Sequence, residues 1–278
     1  MKNLLVVQRR PIKVYNDITN RTQLVKRRVL LRGKLNVYLR YREYNRNKNE
    51  LVITQPLDYR NNETLKKYLI SCYGKNATLN KLKKEIKEVQ EVYYQAHCPY
   101  CEINEPGTFD HYLPKEEFPE YSVLSLNLIP CCSICNSYKG ELWENSNSRV
   151  FLNYYFDEIP QEQFLYAKLD YTDGTDVPKI SFELRNDNGI DSSIFQRIET
   201  HFDKLYLLKR YIKQANSKVS SIRKSCILKI NGRNNIVAVK SILEDDLDVL
   251  EQQVGCNNWE YALVKSVLES DEFWDNLI

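Results

Sequence analysis

Cys98-Pro-Tyr-Cys101, Phe109-Asp-His-Tyr-Leu113 and Leu126-Asn-Leu-Ile-Pro-Cys-Cys-Ser-Ile-Cys-Asn-Ser-Tyr-Lys-Gly140 follow one another in the middle of the chain. Two Cys-x-x-Cys knuckles, Cys98/Cys101 and Cys132/Cys135, bracket an Asp-His pair and two asparagines. Four sulfurs from two tight turns match the thiolate set of a tetrahedral structural zinc. The 30 residues between the knuckles exceed the roughly 15–20 of a simple zinc ribbon, so a folded element is expected between them. Cys131 adjoins Cys132, but only Cys132 stands two residues from Cys135 in the way Cys98 stands from Cys101. Disulfides or buried free thiols are the competing reading. Nothing marks the chain as secreted: the apolar run Leu4-Leu-Val-Val7 before Gln8-Arg9-Arg10 is too short for a signal segment. No stretch approaches the ~18 apolar residues of a membrane span. A reducing, cytoplasmic setting without membrane attachment is therefore expected, and there paired knuckles favour metal. Cys72, Cys226 and Cys256 are scattered and read as small apolar packers.

The groups between the knuckles suit phosphodiester chemistry. An imidazole serves as a base near neutral pH, and a carboxylate with an amide oxygen suits a hard cation. Asp110-His111, Asn127-Leu128 and Cys132-x-x-Cys135-Asn136-x-x-Lys139 resemble the HNH endonuclease family in its zinc-stapled form, over about 45 residues. The resemblance implies an α+β fold: a small ββα-metal nuclease unit with two Cys-x-x-Cys zinc knuckles, embedded in a largely helical chain. Phe109–Leu113 would form the first strand, Asn127 would lie in the turn, and Cys135–Leu142 would enter the helix.

Carried over residue by residue, the resemblance makes His111 the general base and Asp110 and Asn136 the ligands of a catalytic Mg²⁺ or Mn²⁺. Asn127 becomes the brace that orients the base, and Lys139 a charge approaching the scissile phosphate. Zn²⁺ on Cys98, Cys101, Cys132 and Cys135 is structural. Asparagine rather than histidine at 136 makes transition-metal preference less expected. His97 and His201, outside the pattern, read as packed or solvated residues.

The net charge of +3 hides an asymmetry. Residues 1–97 hold 22 Lys/Arg against 8 Asp/Glu, and residues 98–278 hold 18 against 29. Basic residues crowd the first 48 positions and interleave with tyrosines and aliphatics, which suits a folded surface facing phosphates. Arg9, Arg10, Arg27 and Arg28 are the candidate nucleic-acid contacts. The alternative is an arm that docks on acidic protein surface.

Four segments are expected: a basic region over 1–60, a helical segment over 61–96, the nuclease core over 97–143, and a C-terminal region over 144–278. In the second segment Leu79, Leu82, Ile86, Val89 and Tyr93 repeat at helical steps and lead into Cys98. In the last, Gln163–Asp170 and Lys179–Arg185 alternate as a hairpin with Asp173-Gly174 in its turn. Asp191-Ser-Ser193 can cap a helix carrying Ile194, Ile198, Phe202, Leu205 and Ile212, and further helices are expected near 236–252 and 257–276. Asp245, Asp246 and Asp248 read as a solvated acidic face. The stretch from Asn153–Asp157 to His201–Tyr211 also looks similar to the region C-terminal to the nuclease core in bacterial HNH proteins. Some of those proteins act beside an ATPase in Septu-like, including retron-associated, anti-phage systems. The function expected is a metal-dependent endonuclease, DNA first, as an antiviral defence effector with an ATPase partner. RNA cleavage and a non-catalytic zinc-stapled nucleic-acid-binding adaptor are the alternatives.

Overall fold

The computed structural model describes residues 1–171, 178–232 and 235–277. It combines helices with three two-stranded antiparallel sheets. The chain divides into two compact units, one of residues 3–158 and one of residues 1–2 with 159–278. The expected segments 1–60, 61–96 and 97–143 all fall in the first, apart from residues 1–2.

Residues 3–158 begin with α1 (Pro11–Asn20) and α2 (Leu24–Asn47). Pro11 suits the first turn of α1, where its missing N–H is no loss. On α2, Leu30, Gly33, Val37, Tyr41 and Tyr44 recur at steps of three and four and are buried, while most of the arginines between them stay outside. Gly33 permits close approach of the next helix, since a Cβ there would lie 2.9 Å from Leu65 Cδ1. Arg40 departs from this pattern and points inward. Its guanidinium donates to Glu120 Oε1 at 2.5 Å, Glu43 Oε2 at 2.7 Å and the Gln55 carbonyl at 2.9 Å. Tyr59 also donates to Glu120. A buried guanidinium deprived of its carboxylate is costly, so Glu120→Ala should lower stability by about 3–5 kcal/mol. Urea unfolding monitored by circular dichroism checks this; a loss below about 1 kcal/mol would show that solvent reaches Arg40.

The helical segment expected over 61–96 forms three helices: α3 (Glu63–Ser71), α4 (Ala77–Glu88) and α5 (Val92–Ala96). Leu79, Leu82 and Ile86 are buried along α4 as their spacing predicts. Each break has a hydrogen-bonded cause. Asn76 accepts from the Leu79 N–H and starts α4 afresh. Gln90 both donates to and accepts from the backbone of Leu5, at 2.9 and 2.8 Å, and turns the chain after α4.

After Cys98 come β1 (Thr108–His111), β2 (Leu128–Cys131) and α6 (Ser133–Lys139). The strands pair antiparallel, with Thr108 opposite Cys131 and His111 opposite Leu128. Between them residues 112–127 form a long loop with two short 3₁₀ turns, Pro119–Tyr121 and Ser125–Asn127. Gly140 closes α6 at a positive φ of 53°, which a Cβ would strain. A two-residue ribbon comes next, β3 (Glu144–Asn145) with β4 (Ser148–Arg149). Residues 150–157 then return to the hairpin. Tyr112 donates to the Phe151 carbonyl, Tyr155 to the Leu128 carbonyl, and Arg149 pairs with Asp157 at 2.5 Å.

In the other unit, β5 (Leu165–Asp170) pairs with β6 (Lys179–Leu184), as the alternation predicts. Asp173 and Gly174 of the expected turn lie outside the described residues. Asn257 holds the start of β5 by accepting from Phe164 N and Leu165 N. Asp191 caps α7 (Ser192–Lys204) through the N–H groups of Ser193 and Ile194. The helix expected to reach Ile212 is broken at Tyr206, whose φ is 53°, and resumes as α8 (Leu207–Asn231). Then come α9 (Ile236–Val254), α10 (Trp259–Glu269) and α11 (Asp271–Asp275). His201 is fully buried on α7, while Asp245, Asp246 and Asp248 are largely exposed on α9. No helix is long and apolar enough to cross a membrane among the described residues.

Candidate functional site

Cys98, Cys101, Cys132 and Cys135 are buried together, with all four Sγ atoms within 4.8 Å of one another. Tetrahedral zinc with Zn–S near 2.3 Å separates its sulfurs by about 3.8 Å. Cys101 and Cys132 Sγ lie 3.9 Å apart, so the cluster is already close to that geometry. Glu102, at φ 53°, lets the first knuckle turn so that its N–H and that of Cys101 both reach the Cys98 carbonyl. The second knuckle opens α6. Hydrogen bonds from Cys101, then Cys135 and Cys98, pull the Cys132 thiol well below its ordinary pKa. The Cys135 backbone N–H at 3.4 Å and the Asn104 amide at 3.9 Å also face that sulfur. Thiolate character at a helix start is what metal binding requires. Cys131 stands apart: its sulfur contacts Thr108 Oγ1 at 3.5 Å, and burial pushes its thiol up.

His111 ends β1. Its Nε2 lies 2.9 Å from the Ser122 carbonyl, which can only accept, so Nε2 carries the proton and Nδ1 keeps a lone pair. The Tyr73 ring packs edge-on against the imidazole at 4.3 Å. Burial pushes the imidazole pKa down from 6.5 to about 3, the Ser122 carbonyl acts in the opposite direction, and Lys115, Lys139 and Lys83 lower it further. The ring is therefore neutral at physiological pH.

Asn127 is fully buried and ties the loop to the end of β1. Its Oδ1 accepts from Leu113 N at 2.8 Å, and its Nδ2 donates to the carbonyls of Leu113 and Tyr121 at 2.9 and 3.4 Å. Because Ser122 follows Tyr121 directly, this side chain sets the carbonyl that orients His111. An apolar residue of the same size leaves the Leu113 N–H and carbonyl unsatisfied, whereas the Tyr121 carbonyl still accepts from the Leu124 N–H.

Asp110 is buried, and both its oxygens are engaged. Tyr100 donates to Oδ2 at 2.7 Å, and the Lys139 ammonium lies 3.0 Å from Oδ1. Lys139, expected to approach phosphate, is itself only 1 % exposed and also donates to the His111 carbonyl at 3.1 Å. Its ammonium neutralises a buried carboxylate instead of meeting solvent. Asn136 is half-buried on α6, and its Nδ2 donates to Thr108 Oγ1 at 3.3 Å. The oxygens of Asp110 and Asn136 have the right chemistry for Mg²⁺ or Mn²⁺. In this conformation a cation reaches Asp110 only if the ammonium moves away.

Of the basic candidates, Arg9 pairs with Glu85 at 2.7 Å. Arg10 is exposed at the start of α1, and Arg27 (half-buried) and Arg28 (less buried still) lie near the start of α2. His97 stacks on Tyr93 at 4.1 Å. Four contributors have no signature in the sequence: the Ser122 carbonyl, Tyr73, Tyr100 and Thr108.

No family model matches the chain, and no solved structure matches it. The chain is similar to Protein ea31 of Escherichia phage lambda, 24% identical over 189 residues, which cover 64% of this chain and 63% of the phage protein. The matched stretch thus spans less than two thirds of that relative, and the similarity carries no statement of activity.

Proposed function

We propose that residues 97–143, with 144–158 packed on them, form a zinc-stapled ββα-metal unit of the HNH type, and that the protein hydrolyses phosphodiester bonds within nucleic acid, DNA first. One observation supports this most: an imidazole locked by a backbone carbonyl into the tautomer with a free Nδ1, on the strand next to a buried Asp110. In the proposed reaction Nδ1 takes a proton from a water, and the hydroxide formed attacks phosphorus in line with the leaving oxygen. His111 starts neutral, as a base must. The negative phosphate entering beside it favours the imidazolium it becomes. A Mg²⁺ or Mn²⁺ held by Asp110 and Asn136 would supply positive charge for the pentavalent phosphorane. Zinc takes no chemical part and holds the hairpin to α6. RNA remains a substrate open to the same base, which needs no 2′-hydroxyl.

The Asp110–Lys139 pair favours a second reading, a non-catalytic adaptor that brings a partner to nucleic acid. The similarity of the stretch from residue 153 to residue 211 to bacterial HNH proteins, some of which act beside an ATPase in Septu-like systems, supports an ATPase as that partner, or as the activator of the nuclease in defence. The two readings separate when the full chain, alone and in its native complex, is incubated with supercoiled plasmid and with total RNA, with and without Mg²⁺ or Mn²⁺. Divalent-dependent nicking or fragmentation is the expected result. Intact substrates in the native complex would select the adaptor.

Both readings place the basic N-terminal third on phosphates. Arg27 and Arg28 stand near the start of α2 without a carboxylate partner among the described residues. Replacing both with glutamine should reduce the slope of log K against log salt by about 2 units, because each phosphate contact contributes nearly one. A fluorescence-anisotropy salt titration checks this; an unchanged slope assigns this turn of α2 to protein contact.

A further inference from the structure

We propose that Lys83 and Lys87 on α4, seated on the rings of Tyr73 and Phe109, form a phosphate subsite beside His111, in which Lys83 takes the phosphate that is cleaved and Lys87 a neighbouring phosphate of the same strand. Its part in cleavage rests on the nuclease reading; its affinity for phosphate does not. Phe109 and His111 stand two residues apart on β1 and so share one face of the strand. The Tyr73 ring packs against the imidazole at 4.3 Å. The Lys83 ammonium lies 3.9 Å from the centre of that same Tyr73 ring and 5.6 Å from that of Phe109, and the Lys87 ammonium lies 5.9 Å from the Phe109 ring centre. Two cations one helical turn apart thus stand along the strand face that carries the proposed base.

The lysines of α4 divide by environment. Lys81 and Lys84 are exposed and pair with Glu85 and Glu88, at 4.0 and 3.5 Å. Lys83 and Lys87 are half-buried and have no carboxylate partner among the described residues. Burial holds the Lys83 ammonium below the usual lysine pKa, and no anionic side chain offsets that cost. The ring faces hold the ammonium in place without neutralising it, so a phosphate oxygen is the partner that suits the position. Lys139, the lysine of the motif, is committed to Asp110. Lys83 therefore supplies, from outside the motif, the charge expected of Lys139. It stays protonated throughout, and its attraction for a non-bridging oxygen grows as phosphorus becomes pentavalent.

The test uses the full chain with Lys83→Gln, Lys83→Arg or Lys87→Gln, and with Lys84→Gln as the control from the outer side of the same helix. Binding is read by fluorescence anisotropy of a labelled DNA duplex across a salt series without divalent cation, so that the duplex stays intact. Lys83→Gln and Lys87→Gln should each lower the slope of log K against log salt by about one unit, and Lys83→Arg and Lys84→Gln should leave it unchanged. Plasmid cleavage by the native complex with Mg²⁺ then separates the two lysines. Lys83→Gln should lower kcat by about 10²-fold, because its charge acts on the transition state, whereas Lys87→Gln should raise KM with kcat retained. Melting temperature and zinc content should stay at wild-type values in every variant. A slope for Lys83→Gln equal to that for Lys84→Gln overturns the subsite, whatever happens to cleavage. A lowered slope with kcat unchanged overturns the placement of Lys83 on the cleaved phosphate. Wild-type protein that cleaves nothing, while Lys83→Gln still lowers the slope, removes the nuclease and keeps the subsite.

Discussion

Cys132→Ser is expected to release zinc and unfold residues 3–158. Structural zinc bound by four thiolates contributes roughly 10–16 kcal/mol, as much as the whole stability of an ordinary domain of about 5–15 kcal/mol. The four-cysteine cluster here joins two segments 30 residues apart, next to α5, the hairpin and α6, so little else can replace a metal bound there. Metal analysis of the wild-type protein should give one zinc per chain, and Cys132→Ser should give none together with loss of near-ultraviolet dichroism. Cys131→Ser is the matched control. Its sulfur contacts Thr108 and lies outside the cluster, so zinc should stay at one per chain despite a modest loss of stability. Zinc retained in Cys132→Ser, or lost equally in Cys131→Ser, would break the assignment of the four ligands.

The second large effect concerns catalysis. His111→Ala should lower cleavage about 10²–10⁴-fold, the usual contribution of a positioned base. Asp110→Ala should lower it too, and it should also destabilise the hairpin, because Lys139 is then a buried charge without its carboxylate. Asn136→Ala touches only the edge of that network, so its loss should be partly recovered by raised Mg²⁺. Base and cation act on one transition state, so the His111/Asn136 double variant should fall less than the product of the single effects. Multiplicative losses would place the two residues in separate steps.

The parts of the site written in side-chain spacing were legible in the sequence. Mirrored Cys-x-x-Cys turns located the buried cluster, since the spacing itself makes two sulfurs converge. The alternation around Leu165 and Ile180 located the hairpin of the second unit, and Asp191 marked the start of α7. The features that stayed hidden depend on backbone or on burial. Ser122 acts through its carbonyl, which every residue has. Lys139 stands at the end of a knuckle and reads as a charge free to approach phosphate; it is buried because Asp110 and the His111 carbonyl, distant in sequence, satisfy its ammonium. The helix breaks after Glu88 and at Tyr206 interrupt apolar stripes that continue across them, so periodicity alone carries each helix too far. Gln90 turns the chain by bonding Leu5, a contact 85 residues away that no local pattern records.

The whole proposed reaction rests on His111 acting as the base of a nuclease whose fold zinc maintains. Plasmid cleavage by wild-type and His111→Ala protein, each purified in its native complex and each shown to hold one zinc per chain, tests it in one comparison. The expected result is divalent-dependent cleavage by the wild type and loss of at least about a hundredfold in the variant, with zinc content and nucleic-acid binding unchanged. Equal cleavage by both proteins would contradict that role for His111.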